Sequence, residues 1–314
     1  MTATIGELVE DYIGLRRGLG YRSVTQERAL RAFARHLAGK EGPILLEATL
    51  AWTAASASVD PGNPARRLAT VRGFLRHLHA LDGRTEVPAP GMLGATGQRK
   101  PPHVYTDAEV GELIGEAARL DPAGGLRPRC YATLLGLLAC TGLRISEALA
   151  LDYADIDLDA GVITVRAGKR GLTRLVPIHA TTTEALSRFL AERQRHLGPI
   201  SPADAFFATE ANDRLGYNTA YHAFAVVRRR LGWDGTGRVR QPRLHDLRHR
   251  MVVARILAWH AEGVDVDARI ASLATYLGHI EVRDVYWYLS AVPELMDIAA
   301  GRFETYAHAE ADPR

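Results

Sequence analysis

Lysine is scarce in this chain of 314 residues. Lys40, Lys100 and Lys169 are three among 39 basic residues, and the other 36 are arginines. Arginine stays protonated in proteins, whereas lysine can release its proton. Genomic base composition is one general source of a preference for arginine, and it carries no information about function. An isolated lysine such as Lys169 is then a candidate for chemistry that arginine cannot perform.

Cysteine, long apolar runs and targeting signals are also scarce. Cys130 and Cys140 lie in one predicted helix, about 15 Å apart by helical rise, which is too far for a disulfide. The longest apolar stretch, residues 131–143, is too short to cross a bilayer. The first residues do not form a secretory signal. We therefore expect a cytoplasmic protein without membrane contact or a disulfide framework.

The order of segments predicts two globular domains. With 47% hydrophobic and 24% charged residues, the chain is long enough for two buried cores. Residues 1–87 carry hydrophobic side chains at helical spacing and form the first domain. Residues 88–103 are dense in proline and glycine, which is typical of a linker. The second domain, 104–314, begins with the capping-box pattern of Thr106 and Glu109.

The predicted elements are mostly helices. In the first domain we expect helices at 49–57 and 67–81, with a turn at 60–64. In the second domain we expect helices at 129–149 (with a break near Gly142), 183–196, 218–231, 246–261 and 267–276. β-Branched runs at 162–165 and 172–176 flank a glycine-bounded turn and predict a β-hairpin. The expected fold class is therefore mainly α with a small β-hairpin or sheet (α+β).

Two short patterns in the second domain carry candidate chemistry. Arg144 and Glu147 are one helical turn apart, which is also the spacing of an ordinary exposed ion pair. Lys169 stands at the tip of the hairpin, where charged residues often serve solubility alone. A site that needs a proton donor, however, requires lysine rather than arginine.

The most basic part of the chain contains a His-x-x-Arg pattern. Residues 228–250 include eight arginines against two aspartates, an excess that is typical of a polyanion-binding surface. His245 and Arg248 share a helix face. His245 and His249 also mimic a zinc-hydrolase pattern, with Asp246 in place of the usual glutamate. The surrounding arginines would repel a dication, so zinc is the weaker alternative.

Taken in order, these segments resemble the tyrosine recombinase, or phage integrase, family. The family pattern has Thr-Gly-x-Arg-x-x-Glu, a lysine at a hairpin turn, His-x-x-Arg, and Leu-Gly-His followed nine residues later by tyrosine. It falls on Arg144, Lys169, His245, Arg248, His279 and Tyr288, with Glu147 in support. Tyr286 also follows Leu-Gly-His, but the nine-residue spacing favours Tyr288. The block 286–296 further resembles integrases carried on transposons and plasmids.

The resemblance implies a site-specific DNA recombinase that needs no metal, ATP or other cofactor. Tyr288 would attack a phosphodiester and form a 3′-phosphotyrosyl bond. The two arginines of the pattern would bind the phosphate oxygens, with a further hydrogen bond from His279. Lys169 would protonate the leaving 5′-oxygen, and His245 would assist removal of the tyrosine proton.

The resemblance also implies an architecture and partners. An N-terminal helical core-binding (SAM-like) domain and a C-terminal catalytic domain would close on double-stranded DNA, near the bacterial nucleoid. Copies would form a tetramer on two DNA sites and exchange the C-terminal segment 291–314, with accessory proteins as further candidate partners. Salt-dependent phosphate contacts are expected from Arg66, Arg67, Arg72, Arg76, Lys100, Arg170, Arg174, Arg240 and Arg243.

Other functions stay open beside the recombinase and the zinc hydrolase. A relaxing topoisomerase or telomere resolvase would use the same chemistry, although the two-domain length suits a recombinase better. A DNA-binding protein on the same scaffold would lack catalysis, although the six positions of the pattern are all filled. The DNA target and the direction of the reaction are not predicted, because base readout depends on where side chains lie.

Overall fold

A computed structural model describes residues 3–21, 23–39, 42–56, 62–94, 102–166, 173–234, 241–279, 281–282 and 285–286. The chain divides into two compact units, residues 1–100 and 101–314. Each unit encloses a hydrophobic core of its own. The division falls within the proline- and glycine-rich segment.

The described part of the first unit is helical. Its helices are α1 (Ile5–Gly18), α2 (Val24–His36), α3 (Leu46–Ala54) and α4 (Asn63–Leu81). A capping box of Thr4 and Glu7 begins α1. Helix α4 begins before the predicted position 67, because Pro64 is tolerated in the first helical turn. Residues 63 and 64 of the predicted turn are therefore helical, and residues 60 and 61 lie outside the described residues. Aromatic side chains of Phe33 and Phe74 are buried at the centre of the unit.

The second unit is also mainly helical. Its helices are α5 (Asp107–Ala117), α6 (Leu126–Thr141), α7 (Ile145–Ala150), α8 (Ala180–Leu197), α9 (Tyr217–Arg230), α10 (Leu244–Ala261) and α11 (Val266–Leu277). The predicted capping box of Thr106 and Glu109 begins α5. The predicted helix 129–149 is two helices, because Gly142 ends α6 in the left-handed conformation. Helix α6 is buried on most sides and packs against α5, α8 and α10.

A small antiparallel sheet lies beside these helices. It contains β1 (Ile156–Asp157), β2 (Val162–Val165) and β3 (Arg174–Pro177) in that order. Strands β2 and β3 form the predicted hairpin, and the mainly α fold class with a small sheet is confirmed. The short strand β1 was not predicted, since two residues have no periodicity to detect. The hairpin tip, residues 167–172, lies outside the described residues.

Helices α10 and α11 form a further hydrophobic cluster that positions the candidate site. Val252 and Ile256 of α10 pack with Ile270 and Leu273 of α11. Helix α11 also contacts β3, and α10 contacts α6. The ends of α6, α11 and β3 are therefore held close together. Within the described part of the chain, no helix is both long and apolar enough to span a bilayer.

Candidate active site

The turn between α6 and α7 carries Arg144. Gly142 adopts a φ of 63°, a conformation that favours glycine. Arg144 is the N-cap of α7, where its backbone N–H donates to Glu147 Oε2 at 3.0 Å. Its Nη1 donates to Glu147 Oε1 at 2.7 Å. One carboxylate therefore holds both the backbone and the guanidinium of Arg144.

Arg248 joins the ends of two helices. Its residue surface is 2% exposed. Nη1 donates to the carbonyl of Gly142 and Nη2 donates to the carbonyl of Leu277, both at 2.7 Å. The C-terminal ends of α6 and α11 carry partial negative charge from their peptide dipoles. Burying a guanidinium without partners costs free energy, and the carbonyls of the two helix ends offset that cost for Arg248.

Three arginines donate hydrogen bonds to backbone carbonyls at the C-terminus of α11. The backbone N–H groups of Gly278 and His279 bind the carbonyls of Thr275 (3.0 Å) and Ala274 (2.9 Å), as in a Schellman motif. The next three carbonyls belong to Tyr276, Leu277 and Gly278. They accept from Arg174 Nε (2.9 Å), Arg248 Nη2 (2.7 Å) and Arg144 Nη2 (3.3 Å), respectively. Arginines from three separate elements therefore converge on one helix end.

Arg174, at the start of β3, binds Glu147 with both terminal nitrogens. Nη1 donates to Oε1 at 3.1 Å and Nη2 donates to Oε2 at 2.8 Å. The side chain of Arg174 is 11% exposed, whereas that of Arg144 is 25% exposed. The guanidinium of Arg174 is engaged on Glu147 and α11, and its predicted contact with DNA stays a prediction. Arg144 is the more accessible of the two arginines on this carboxylate.

Glu147 is ionised at neutral pH in spite of its burial. Burial alone would raise the pKa of this carboxyl. The hydrogen bonds and charge of Arg174, together with the contacts of Arg144, outweigh that effect and lower the pKa to about 2. The carboxylate therefore keeps its negative charge between the two guanidinium groups.

His245 lies one turn before Arg248 on α10. Its imidazole meets that of His249 edge to face, with the ring centroids 5.1 Å apart. Desolvation, followed by the charge of Arg248, lowers the pKa of His245, so its imidazole is neutral at neutral pH and can accept a proton. Burial and the adjacent His245 lower the pKa of His249 to about 4.

The zinc alternative does not fit the residues around these histidines. Asp246, which would replace the catalytic glutamate, is buried, and its two carboxylate oxygens accept from Arg243. His249 is buried as well. In the ranges that the structure describes, no three His, Cys, Asp or Glu side chains are grouped so that they could hold a metal ion.

The structure brings part of the predicted catalytic set together. Arg144 and Arg248 bind carbonyls at the end of α11, and His279 follows that end directly. His245 is on the same helix as Arg248. Tyr288, Lys169, Lys100, Arg170, Arg240 and the segment 291–314 lie outside the described residues, so their roles stay predictions. The rival Tyr286 is exposed.

The predicted DNA contacts on α4 differ in their surroundings. Arg66 and Arg76 are exposed, and Arg72 is partly buried. The guanidinium carbon of Arg67 lies 3.9 Å from the centroid of the Trp52 ring, and its Nη2 donates to the Trp52 carbonyl at 2.7 Å. Desolvation by burial lowers the pKa of Arg67. The basic face is thus divided between solvent-facing arginines and one that packs inside its own unit.

Sequence reasoning missed the groups that hold the arginines in place. The pattern did not indicate that Arg174 binds Glu147, because the two residues are 27 positions apart. It also did not indicate that the carbonyls of Gly142 and Gly278 are acceptors. The positions of the two glycines could have been predicted, because a glycine directly after a helix commonly ends it in the left-handed conformation.

Comparison with known proteins reveals extensive similarity. Residues 104–294 match the phage integrase family. The chain is 36% identical over 306 residues to integrase/recombinase y4rB of Sinorhizobium fredii, covering 96% of this chain and 98% of that protein. It is 28% identical over 236 residues to the tyrosine recombinase XerD of Caulobacter vibrioides, covering 75% of this chain and 73% of that protein.

Solved structures share the fold at low sequence identity. The Tn1549 transposon integrase in complex with circular intermediate DNA matches with a TM-score of 0.68 at 14% identity, over 94% of this chain and 99% of that chain. A lambda integrase dimer bound to a COC′ core site matches with a TM-score of 0.62 at 16% identity, over 91% and 77% of the respective chains. At these identities the likeness concerns the fold.

Proposed function

Because this chain belongs to the phage integrase family and is a tyrosine-type site-specific recombinase, we propose that it cleaves and rejoins DNA through a 3′-phosphotyrosyl intermediate. The reaction requires neither a metal nor ATP, since the covalent bond conserves the energy of the broken phosphodiester. The observation that carries the proposal is the convergence of Arg144 and Arg248 on the end of α11, directly before His279.

The proposed cleavage step is a transesterification. The Tyr288 oxygen attacks the phosphorus, the bond to the 5′-oxygen breaks, and the 3′-phosphate becomes attached to the tyrosine. His245, whose lowered pKa keeps the imidazole neutral, accepts the tyrosine proton. Lys169 donates a proton to the leaving 5′-oxygen. A 5′-hydroxyl from a partner strand reverses these transfers and completes the exchange.

Charge on the phosphate is stabilised by the arginines. Negative charge builds on the non-bridging oxygens during attack, and guanidinium groups bind such oxygens with two parallel N–H donors. Arg144 is partly exposed beside the end of α11 and can offer donors to a phosphate. Arg248 contributes fixed positive charge from a buried position. His279 supplies a further hydrogen bond.

Double-stranded DNA and other copies of the chain are the proposed partners. The structural relatives include complexes with DNA and a lambda integrase tetramer bound to a Holliday junction. By analogy, both units bind the DNA site, and four copies exchange strands between two duplexes. The C-terminal segment 291–314 is the proposed link between neighbouring copies.

The decisive experiment is covalent trapping on DNA. Full-length protein is incubated with sheared, randomly nicked DNA of the organism that encodes it, with or without EDTA. A nick close to the cleavage point lets the fragment that bears the 5′-hydroxyl diffuse away, so the adduct accumulates. Adducts that survive SDS are recovered and sequenced, which also identifies the target duplex.

The expected result is a protein–DNA adduct that is unaffected by EDTA. Tyr288→Phe should abolish the adduct, whereas Tyr286→Phe, a matched change two residues away, should preserve it. The reverse pattern would mean that Tyr286 is the nucleophile. DNA binding without any adduct would favour the non-catalytic DNA-binding alternative. Loss of the adduct with EDTA would contradict a metal-independent reaction.

A further inference from the structure

Arg174 links three elements of the arginine site, β3, α7 and α11, and the reaction steps proposed above give it no role. We propose that Arg174 is a positioning residue for strand cleavage. It orients the guanidinium of Arg144 through the carboxylate of Glu147, which both arginines bind. Its own hydrogen bond to α11 holds this carboxylate near the end of that helix. This inference rests on the proposed recombinase function and adds a residue to its machinery.

The hydrogen bonds of Arg174 are directed inward. Nε donates to the Tyr276 carbonyl, and Nη1 and Nη2 donate to the two oxygens of Glu147. All three guanidinium nitrogens therefore have protein partners. Because the side chain is only 11% exposed, little of it is accessible to a DNA backbone. Its position suits the organisation of neighbouring groups rather than contact with phosphate.

Glu147 couples the position of the Arg174 guanidinium to that of Arg144. Its Oε1 accepts from both guanidinium groups, at 2.7 Å from Arg144 and 3.1 Å from Arg174. The two-point contact with Arg174 fixes the plane of the carboxylate, and that plane sets the direction from which Arg144 can bind. Without Arg174, Glu147 would keep its contacts with the backbone N–H and Nη1 of Arg144. It would lose the two-point contact that ties its carboxylate to β3 and α11, so the carboxylate and the Arg144 guanidinium could shift together.

The guanidinium of Arg174 packs closely against Gly278 on its other side. A Cβ atom at Gly278 would lie 2.7 Å from Arg174 Nη1 and 3.0 Å from Cζ, so a side chain at this position would displace the guanidinium. The guanidinium thus lies against bare backbone, next to the carbonyl that binds Arg144. The same contact places Arg174 beside the residue that precedes His279. A shift of Arg174 would therefore disturb two members of the proposed site.

The test is a double-variant cycle in single-turnover adduct formation on the nicked duplex recovered by covalent trapping. Arg174→Gln is expected to slow adduct formation about tenfold or more while changing the Kd for that duplex by less than about twofold. In an Arg144→Lys background, the same substitution should slow the reaction by less than about twofold, because the guanidinium that Arg174 positions is already absent.

Arg214→Gln is the matched control. Arg214 also binds a carboxylate, that of Asp152, and donates to the carbonyls of Leu149 (2.9 Å) and Leu151 (3.1 Å). It lies at the opposite end of α7 from Arg144, so its loss should leave the rate of adduct formation unchanged. If Arg174→Gln melts below the assay temperature, Arg174→Lys replaces it, since lysine keeps the charge but offers one nitrogen instead of three.

The outcomes separate this inference from the function on which it rests. An unaltered protein that forms no adduct overturns both. Normal adduct formation by Arg174→Gln overturns the positioning role alone. An equal loss of rate in both backgrounds indicates a general structural role, and a proportional loss of DNA affinity indicates a phosphate contact. Either result contradicts positioning of Arg144.

Discussion

Side chains of the site differ in whether their charge can change near neutral pH. Arg144 and Arg248 carry guanidinium groups, whose parallel N–H donors suit binding of phosphate oxygens. The lowered pKa of His245 leaves its imidazole neutral, which suits a proton acceptor. Among the Lys and Arg residues of the family pattern, Lys169 is the one whose type can give up a proton to a leaving oxygen. We therefore explain the lysine at position 169, in a chain with few lysines, by the need for a proton donor.

Lys169→Arg tests that reading. The change keeps the positive charge but removes a group that can become neutral, so DNA binding should persist while cleavage slows by about 10²- to 10⁴-fold. The rate of adduct formation is measured on an ordinary nicked duplex and on one with a 5′-thiol leaving group. The thiol needs little protonation, so it should largely restore cleavage. Normal cleavage of ordinary DNA by Lys169→Arg would refute the general-acid role.

His249 should make the fold sensitive to mild acid. Its pKa is about 4 in the folded protein and 6.5 for an unperturbed histidine, so below pH 6.5 the unfolded chain binds the proton more readily. The free energy of unfolding should therefore fall as pH decreases from about 6.5 to about 4, by on the order of 3 kcal/mol. Urea denaturation across this range measures the effect. His249→Gln should show a smaller decline, and an identical decline would contradict this origin.

At the scale of elements, the site is built from the ends of helices. Gly142 closes α6 and Gly278 closes α11, both with positive φ. The carbonyl of each glycine accepts from an arginine of the site. Carbonyls in the last helical turn lack partners within the helix, so they are suited to bind guanidinium groups. The glycines therefore end the helices and also orient acceptors toward the arginines.

Two glycine substitutions, one at the C-cap of α6 and one inside the helix, should have opposite effects on stability. Gly142→Ala imposes a side chain on a φ of 63° and brings a Cβ within 2.5 Å of Met251 Cε, so it should destabilise the fold by at least about 1 kcal/mol. Gly136→Ala, within the same helix, meets only Ile114 Cδ1 at 3.6 Å and should stabilise it by about 0.5–1 kcal/mol. Thermal denaturation distinguishes them, and equal melting temperatures would contradict the left-handed role of Gly142.

At the scale of the whole molecule, two units with separate cores share one chain. The catalytic candidates lie in residues 101–314, and the basic face of α4 lies in residues 1–100. A protein that binds DNA through phosphates should do so with strong salt dependence, because each neutralised phosphate releases counterions. The contribution of the first unit can therefore be measured separately from cleavage.

Two arginines on α4 provide that measurement. Arg76→Gln removes an exposed charge and should reduce the slope of log Kobs against log salt by about 0.9 for each phosphate that Arg76 neutralises, on any DNA sequence. Arg67→Gln removes a guanidinium that stacks on Trp52, so it should lower the stability of the fold with little change in the slope. The opposite assignment of effects would mean that Arg67 is the residue that binds phosphate.

Local features of the fold were predictable because their causes are local. The capping box at Thr106 and the break at Gly142 follow from residues a few positions apart, and both were correctly expected. The start of α8 was placed at 183 rather than at Ala180, because residues 180–182 carry no hydrophobic periodicity. The pairing of Arg174 with Glu147 was not predictable, because its sequence separation carries no periodic signal.

The amino-acid sequence by itself determined the helical fold class, the hairpin and the order of catalytic candidates, since spacing and residue type encode these over short distances. Only the tertiary structure decided which groups hold those candidates. Arg144 and the Gly278 carbonyl are 134 positions apart, and Arg248 and the Gly142 carbonyl are 106 positions apart. Buried guanidinium groups need hydrogen-bond acceptors, and carbonyls at the end of a helix lack partners within the helix. The packing of α6, α10 and α11 brings these carbonyls within hydrogen-bond distance of the arginines.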